Sequence, residues 1–464
     1  MVIKVKSFLN KAAVIAAATM LVASMFAGCG KTAEEVAEGV TEIHVWSGER
    51  HSKIALTKLV EEYNKTVGAE KGIKIVYEVK EADLAKNIEL ALQSGQAPEI
   101  FQGGSLAKNV ESGYVAALDD LPGGKELVEK YQPFLRDFYN RYDGKTYNLP
   151  YGATTNGIVY NKDMFKKAGI VDEKGEAKPP KTWAEMREYA KKLTNDKNNE
   201  YGIIYELKEA GFFGNNVEIT SAASAGHLAY NPAKGEYDYG AYKAAMETLL
   251  GIKEDKSYMP GAESLDNDRA RARFSEGNIG MKFAYSFDVG VYNDQFPAKC
   301  DWGVAPMPVA DENDTYKQYY DLGSGYSVNA TVLGSDIAEK VMEAYKWLNS
   351  DELFVELYKQ CMYIPYNADI VKGVKISNPK KGWEDFRNIM EISVLAPVNR
   401  KKDITGFPKP EEDYVNLVWP GDMSVDDFIA KHNKIANDGI KTYQDMHPEY
   451  DGESFILPDW NTKR

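Results

Sequence analysis

Apolar and polar residues alternate through Ile43-His44-Val45-Trp46, and the pattern breaks at Ser47-Gly48. A period of two puts alternate side chains on one face, which predicts a strand running into a loop. Over residues 52–67 the spacing lengthens to the helical period, with Ile54, Leu56, Leu59, Val60 and Tyr63 on one side. Residues 73–79 return to a strand pattern. Asp83 is placed to cap an amphipathic helix running through Leu92, and Pro98-Glu99-Ile100-Phe101-Gln102-Gly103-Gly104 reads as a short buried strand closed by a glycine loop. Strands alternating with helices predict an α/β fold with a parallel sheet covered on both faces. Such sheets bind ligands at the loops beyond the carboxyl ends of their strands, here residues 47–50 and 102–105.

The first thirty residues follow a different pattern. Lys4, Lys6 and Lys11 precede an apolar run over residues 12–26, which ends in Ala27-Gly28-Cys29-Gly30. A basic flank, a short apolar core and small residues before a cut make an export signal over residues 1–28, and a Cys directly after Ala-Gly is similar to a bacterial lipoprotein cleavage site. Cys29 is then the lipidated N-terminus, followed by a polar linker over 29–40. The apolar core falls short of the ~20 residues a spanning helix needs. The expected location is the extracytoplasmic face of the cell membrane, reached through acyl chains.

Charge narrows the partners. Without residues 1–28, which hold three lysines and no acid, 53 basic residues stand against 70 acidic ones. Nucleic acid binding needs a basic stripe, and this balance is its opposite. An acidic chain is also repelled by anionic lipid, so membrane attachment falls to the lipid anchor. More than 400 residues at 44% hydrophobic content bury a large core and predict two lobes. Besides Cys29 only Cys300 and Cys361 occur; two such thiols can pair in an exported protein, but without a dense framework they read as independent buried hydrophobes.

Further along, Gly144-Lys145-Thr146-Tyr147-Asn148-Leu149-Pro150-Tyr151-Gly152 leads into Ile158-Val159-Tyr160-Asn161-Lys162-Asp163-Met164-Phe165, then Ala168-Gly169-Ile170 and Pro180-Lys181-Thr182-Trp183-Ala184-Glu185-Met186. Phe274-Ser275-Glu276-Gly277-Asn278-Ile279-Gly280-Met281 and Gly303-Val304-Ala305-Pro306-Met307-Pro308 follow, and then a helical stretch with Ala338, Ala344 and Trp347 ending at Ser350-Asp351-Glu352. In this order and spacing, from about Thr41 to the C-terminus, the chain resembles extracellular solute-binding protein family 1, the receptors of carbohydrate ABC importers. The resemblance implies a two-lobed, periplasmic-binding-protein-like (type II) fold with a ligand cleft between the lobes. One lobe is expected from 41–150 and 288–345, the other from 151–287 and 346–464. Gly152 and Gly157 flank the stretch the family uses to cross between lobes, where hinge residues absorb the dihedral change.

The resemblance also assigns the cleft. Sugars offer flat C–H faces to aromatic rings and a rim of hydroxyls to carboxylates, amides and guanidinium groups. Ser47, Glu49 and Arg50 stand where the family places polar sugar contacts, and Gln102 lies in the next loop. There this chain has glycines where the family's maltose-binding member has an aromatic and an acid, which implies a wider pocket or stacking mainly on the opposite lobe. Trp46, at the strand end, belongs to either core or cleft. On that opposite lobe, Phe213 and Asn215 fall in one aromatic segment. In the other, Tyr285 and Phe287 are expected as platforms and Asp288 as a hydroxyl acceptor. Tyr151, Tyr320, Asp321, Phe407 and Trp419 are further candidates.

Other chemistry has little support. The five histidines have no helical ligand spacing, and no HExxH, CxxC or P-loop occurs. Asp196-Lys197-Asn198-Asn199-Glu200-Tyr201-Gly202 starts like a calcium loop but has Tyr201 at its sixth position and Leu207 at its twelfth, and reads as a solvated turn. No cofactor is expected. The implied function is a monomeric, lipid-anchored receptor that captures a sugar or oligosaccharide and delivers it to ABC permease subunits. The alternatives are a surface carbohydrate-active enzyme, since seventy acids can contain a glycosidase pair, and a receptor of the same fold for a non-sugar solute.

Overall fold

A computed structural model describes residues 39–80, 84–208, 211–401, 407, 409–448 and 452–464. The export segment, Cys29, most of the linker and the Asp83 cap lie outside the described residues. The first strand, β1 (Thr41–Ser47), appears where alternation predicted it, followed by α1 (Lys53–Lys65), β2 (Ile73–Val79), α2 (Leu84–Ser94) and β3 (Ile100–Phe101). α1 buries Ala55, Leu56, Val60 and Tyr63. Ile54, expected on that face, is instead 87% exposed; the buried stripe of the helix starts one residue later, at Ala55 and Leu56.

Two sheets organise the rest. β1, β2 and β3 join β4 (Asn148–Thr154), and the later strands are β5 (Asn156–Asn161), β6 (Tyr201–Ile203), β7 (Ile279–Tyr285), β8 (Trp302–Ala305), β9 (Gln318–Val328), β10 (Ile364–Pro365) and β11 (Ser393–Leu395). The seven-stranded sheet of lobe 1 runs β10-β4-β9-β3-β1-β2, with β11 on β9; the four-stranded sheet of lobe 2 runs β8-β5-β7-β6. β1 and β3 are parallel, with Val45 opposite Ile100. The sheet as a whole is mixed, not parallel as expected, because β9 returns antiparallel to both β3 and β4. That strand joins the two halves of the sheet and comes from far along the chain, beyond the reach of local periodicity.

The lobe boundaries also differ from expectation in two stretches. Residues 302–305, expected in lobe 1, form β8 and pair with β5 of lobe 2. Within 346–464, the helix Asp351–Lys359 buries Leu353 and Leu357 against Ala55 and Leu56 of lobe 1, and β10 and β11 join the lobe 1 sheet. The chain passes between sheets at Thr155 and again between β8 and β9, and after β11 it returns to the lobe 2 core with Tyr414, Val418 and Phe428. Around the first crossing the two glycines have a packing reason. A Cβ on Gly152 would lie 2.3 Å from the Tyr363 ring, and one on Gly157 would lie 2.6 Å from the Ala305 carbonyl oxygen. Cys361 is buried and Cys300 half-buried, and they are unpaired.

Candidate functional site

The lobe 1 side of the site is a hydrogen-bonded floor at the ends of β1 and β3. Parallel pairing in register carries Ser47 and Gln102 out of the sheet side by side. Ser47 Oγ donates to Gln102 Oε1 at 2.7 Å and the Gly48 N–H donates to the same oxygen at 3.0 Å. With its oxygen committed, the amide turns Nε2 outward to Glu49 Oε1 at 2.9 Å. The Glu49 N–H in turn donates to Ser47 Oγ at 3.1 Å. Beneath, Tyr326 OH sits 3.2 Å from Ser47 Oγ and 3.2 Å from Tyr77 OH. Burial in this nest pushes the Glu49 carboxyl up to about 7, against the opposing pull of the Gln102 bond. Glu49 is therefore poised between acid and carboxylate at neutral pH. Arg50 stands exposed at the rim.

The lobe 2 side follows β7. Tyr285 and Phe287 stack with ring centroids 5.0 Å apart and 10° between planes. Tyr285 OH donates to Asn215 Oδ1 at 2.5 Å, which fixes the ring's tilt. Asp288 does not present a free acceptor as expected: one oxygen is 2.6 Å from Arg271 Nη2 and the other accepts the Tyr285 N–H at 3.0 Å. It shapes the turn and is 1% exposed. Behind the rings, Lys282 and Glu206 form a buried ion pair at 3.5 Å, and Asn216 Nδ2 donates to Glu206 at 3.0 Å.

His51 joins the two sides. From the loop after β1, its ring stacks on Phe287 at 4.8 Å and 11°. Burial and the nearby Arg271 guanidinium hold its pKa below the ordinary value, so the imidazole is neutral at neutral pH and stacks without a charge penalty. Sequence reasoning passed over His51, Arg271 and the Lys282–Glu206 pair. His51 was within reach, as the ring directly following Glu49-Arg50; the other two are revealed only by packing.

Several expected residues are elsewhere. Tyr151 is 1% exposed and packs against Tyr326, Phe354 and Tyr363 in the lobe 1 core. Phe213 is likewise 1% exposed, among Tyr242, Tyr414 and Phe428. Protein rings surround both, so neither offers a face to a ligand. Trp46 packs against the cluster of Ile88, Leu92 and Phe101 with Lys80 Nζ 3.9 Å from its ring centroid. Asp321 pairs with Arg136 at 3.0 Å, and Arg136 in turn lies 4.3 Å from the Tyr139 ring. Nearby, Glu218, Tyr237, Tyr239, Tyr242, Lys401 and Phe407 are among the residues lining a cavity of about 50 Å³, where burial raises the Glu218 carboxyl.

The chain is similar to known binding proteins over most of its length. A maltotriose-binding protein of Pyrococcus abyssi is 25% identical over 422 residues, covering 89% of this chain and 83% of the relative. An sn-glycerol-3-phosphate-binding periplasmic protein of Brucella melitensis is 24% identical, covering 73% and 77%. Among solved structures, the GacH receptor of Streptomyces glaucescens superposes with a TM-score of 0.67 at 18% identity, covering 89% of this chain and 100% of the receptor. The maltose/maltodextrin-binding domain of Bdellovibrio bacteriovorus, bound to maltotriose, gives 0.64 at 21%, covering 88% and 100%. These two share the two-lobed α/β fold with this chain. Bacterial extracellular solute-binding proteins match over residues 51–353, and with that span and two α/β lobes the chain belongs to that family.

Proposed function

We propose that this protein captures a neutral sugar or oligosaccharide between its lobes and delivers it to an ABC permease, without altering it chemically, while anchored outside the cell membrane through Cys29. The observation that carries the reading is the pairing of chemistries across the cleft. Ser47, Gln102 and Glu49 suit hydroxyl groups, and Tyr285 and Phe287 suit the C–H face of a ring. Relatives named for maltotriose and for glycerol phosphate leave two ligand classes open. The site favours the neutral one, because Arg271, the guanidinium beside its rings, is already bonded to Asp288. A phosphate would need cations not already paired. His51 on Phe287 closes the cleft from one side; a sugar ring stacks there once the lobes part and His51 withdraws.

The test is calorimetry of the mature protein against maltotriose, other neutral oligosaccharides and sn-glycerol 3-phosphate. A neutral saccharide binds, Tyr285→Ala and Phe287→Ala each weaken it about fivefold or more, as loss of a stacking partner worth ~1 kcal/mol requires, and Trp183→Ala leaves affinity unchanged at matched folded fraction. Binding of the phosphate alone, or wild-type affinity in both cleft variants, would defeat the reading.

A further inference from the structure

Phe287 has neighbours from both lobes. From its own lobe, Tyr285 stacks on it at 5.0 Å and the Arg271 guanidinium lies 5.7 Å from its centroid. From lobe 1, the His51 ring reaches it at 4.8 Å, with 11° between planes. A second contact runs beside this stack. A Cβ on Gly290 would lie 3.9 Å from the His51 carbonyl oxygen and 3.8 Å from Met362 Sδ, and Met362 packs against Ala55 and Leu56 of lobe 1. Protein atoms meet protein atoms directly along residues 287–290, so these contacts join the lobes by themselves.

A ring surrounded in this way takes a sugar only where one neighbour leaves. Tyr285 is tied in place, two residues back on the same strand end, with its hydroxyl donating to Asn215 Oδ1 at 2.5 Å. Arg271 is tied as well, 2.6 Å from Asp288 and 2.8 Å from Asp268. His51 is the neighbour free to leave. It enters from the other lobe, on the loop between β1 and α1, and its Nδ1 is buried without a hydrogen-bond partner. A buried polar atom left unsatisfied carries a desolvation cost, which contact with water removes. Stacking holds the imidazole on Phe287, and the orphan nitrogen keeps that hold weak.

We propose that His51 is an autoinhibitory latch: its imidazole takes on Phe287 the place of a sugar ring, holds the two lobes together without a ligand, and yields only to a ligand ring that stacks there better. A cleft whose binding-competent form is only partly populated binds more weakly by that fraction. His51 therefore sets the affinity of the cleft although it need not touch the bound sugar. Displacement by a sugar rests on the proposed function; the latch between the lobes does not.

Two measurements on the mature protein at neutral pH test this, with wild type, His51→Ala and His51→Phe. Small-angle scattering without ligand gives a smaller radius of gyration for wild type and His51→Phe than for His51→Ala, because a flat ring joins the lobes only in the first two. Calorimetry with maltotriose gives His51→Ala an affinity about twofold to tenfold tighter than wild type, the range that an aromatic pair supplies. His51→Phe binds maltotriose more weakly than wild type, since its ring keeps the stack without the unsatisfied nitrogen. A purely structural role for His51 would move both substitutions in the same direction, which overturns the proposal. So do equal unliganded radii in wild type and His51→Ala, or maltotriose bound by His51→Ala no more tightly than by wild type. A larger unliganded radius in His51→Ala with maltotriose bound by none of the three leaves the latch assigned and defeats only the sugar reading.

Discussion

Replacing Glu49 by Gln isolates one proton. The carboxyl titrates near 7 in the folded protein against an ordinary value of 4.5, so between those values the folded state keeps a proton that the unfolded chain has lost. Stability from this group is therefore complete below pH 4.5, falls as pH rises to 7 and is flat above. Each unit of difference corresponds to about 1.4 kcal/mol. Integrated from pH 5 to pH 8, the shift gives at most about 2.5 kcal/mol lost through Glu49, and roughly 2 kcal/mol once water's screening of a half-buried residue is taken off. The amide that replaces the carboxyl in Glu49→Gln keeps an oxygen to accept from Gln102 Nε2 and cannot ionise. Urea unfolding of both proteins at pH 5, 6, 7 and 8 reads the difference directly, since all other titrating groups cancel. Wild type loses roughly 2 kcal/mol more than the variant across that range. Parallel stability curves would show that the nest around Glu49 does not hold a neutral acid.

Three further outcomes are expected. Lys282→Met leaves Glu206 charged, buried and unpaired, and costs about 3–5 kcal/mol in urea unfolding; Lys282→Met with Glu206→Gln recovers part of it, and a single variant as stable as wild type would contradict the pair's burial. Gly152→Ala drives a methyl into the Tyr363 ring 2.3 Å away, lowering the melting temperature by several degrees, as an overpacking cost of about 1–3 kcal/mol requires, and Tyr363→Ala in the same chain relieves it; a melting temperature unchanged by Gly152→Ala would refute the close approach. Cys29→Ala moves the protein from the membrane fraction to the soluble fraction on cell fractionation, and equal partitioning of both forms would exclude the lipid anchor.

Much of the site was legible from the sequence wherever its cause is local. Alternation at Ile43-His44-Val45-Trp46 and the glycines after Gln102 determined that residues 47–50 and 102–105 are loops at strand ends, because side-chain period and glycine's dihedral freedom act within a few residues. Ser47, Glu49 and Gln102 were therefore expected together in one loop cluster, where hydrogen bonds join them, and the ordered motifs carried the two-lobed fold. What tertiary structure alone decided depends on partners far away in the chain. Whether an aromatic stacks in a cleft or fills a core is not written at the residue itself: Tyr151 and Phe213 became core because Tyr326 and Tyr414 meet them, while Tyr285 stayed half-buried at a strand end. Asp288 lost its role as an acceptor to Arg271, which lies on the preceding helix but is adjacent in space. The acidity of Glu49 is a tertiary property too, since burial in the fold, opposed by the bond from Gln102, and not its own chemistry, sets where its proton leaves.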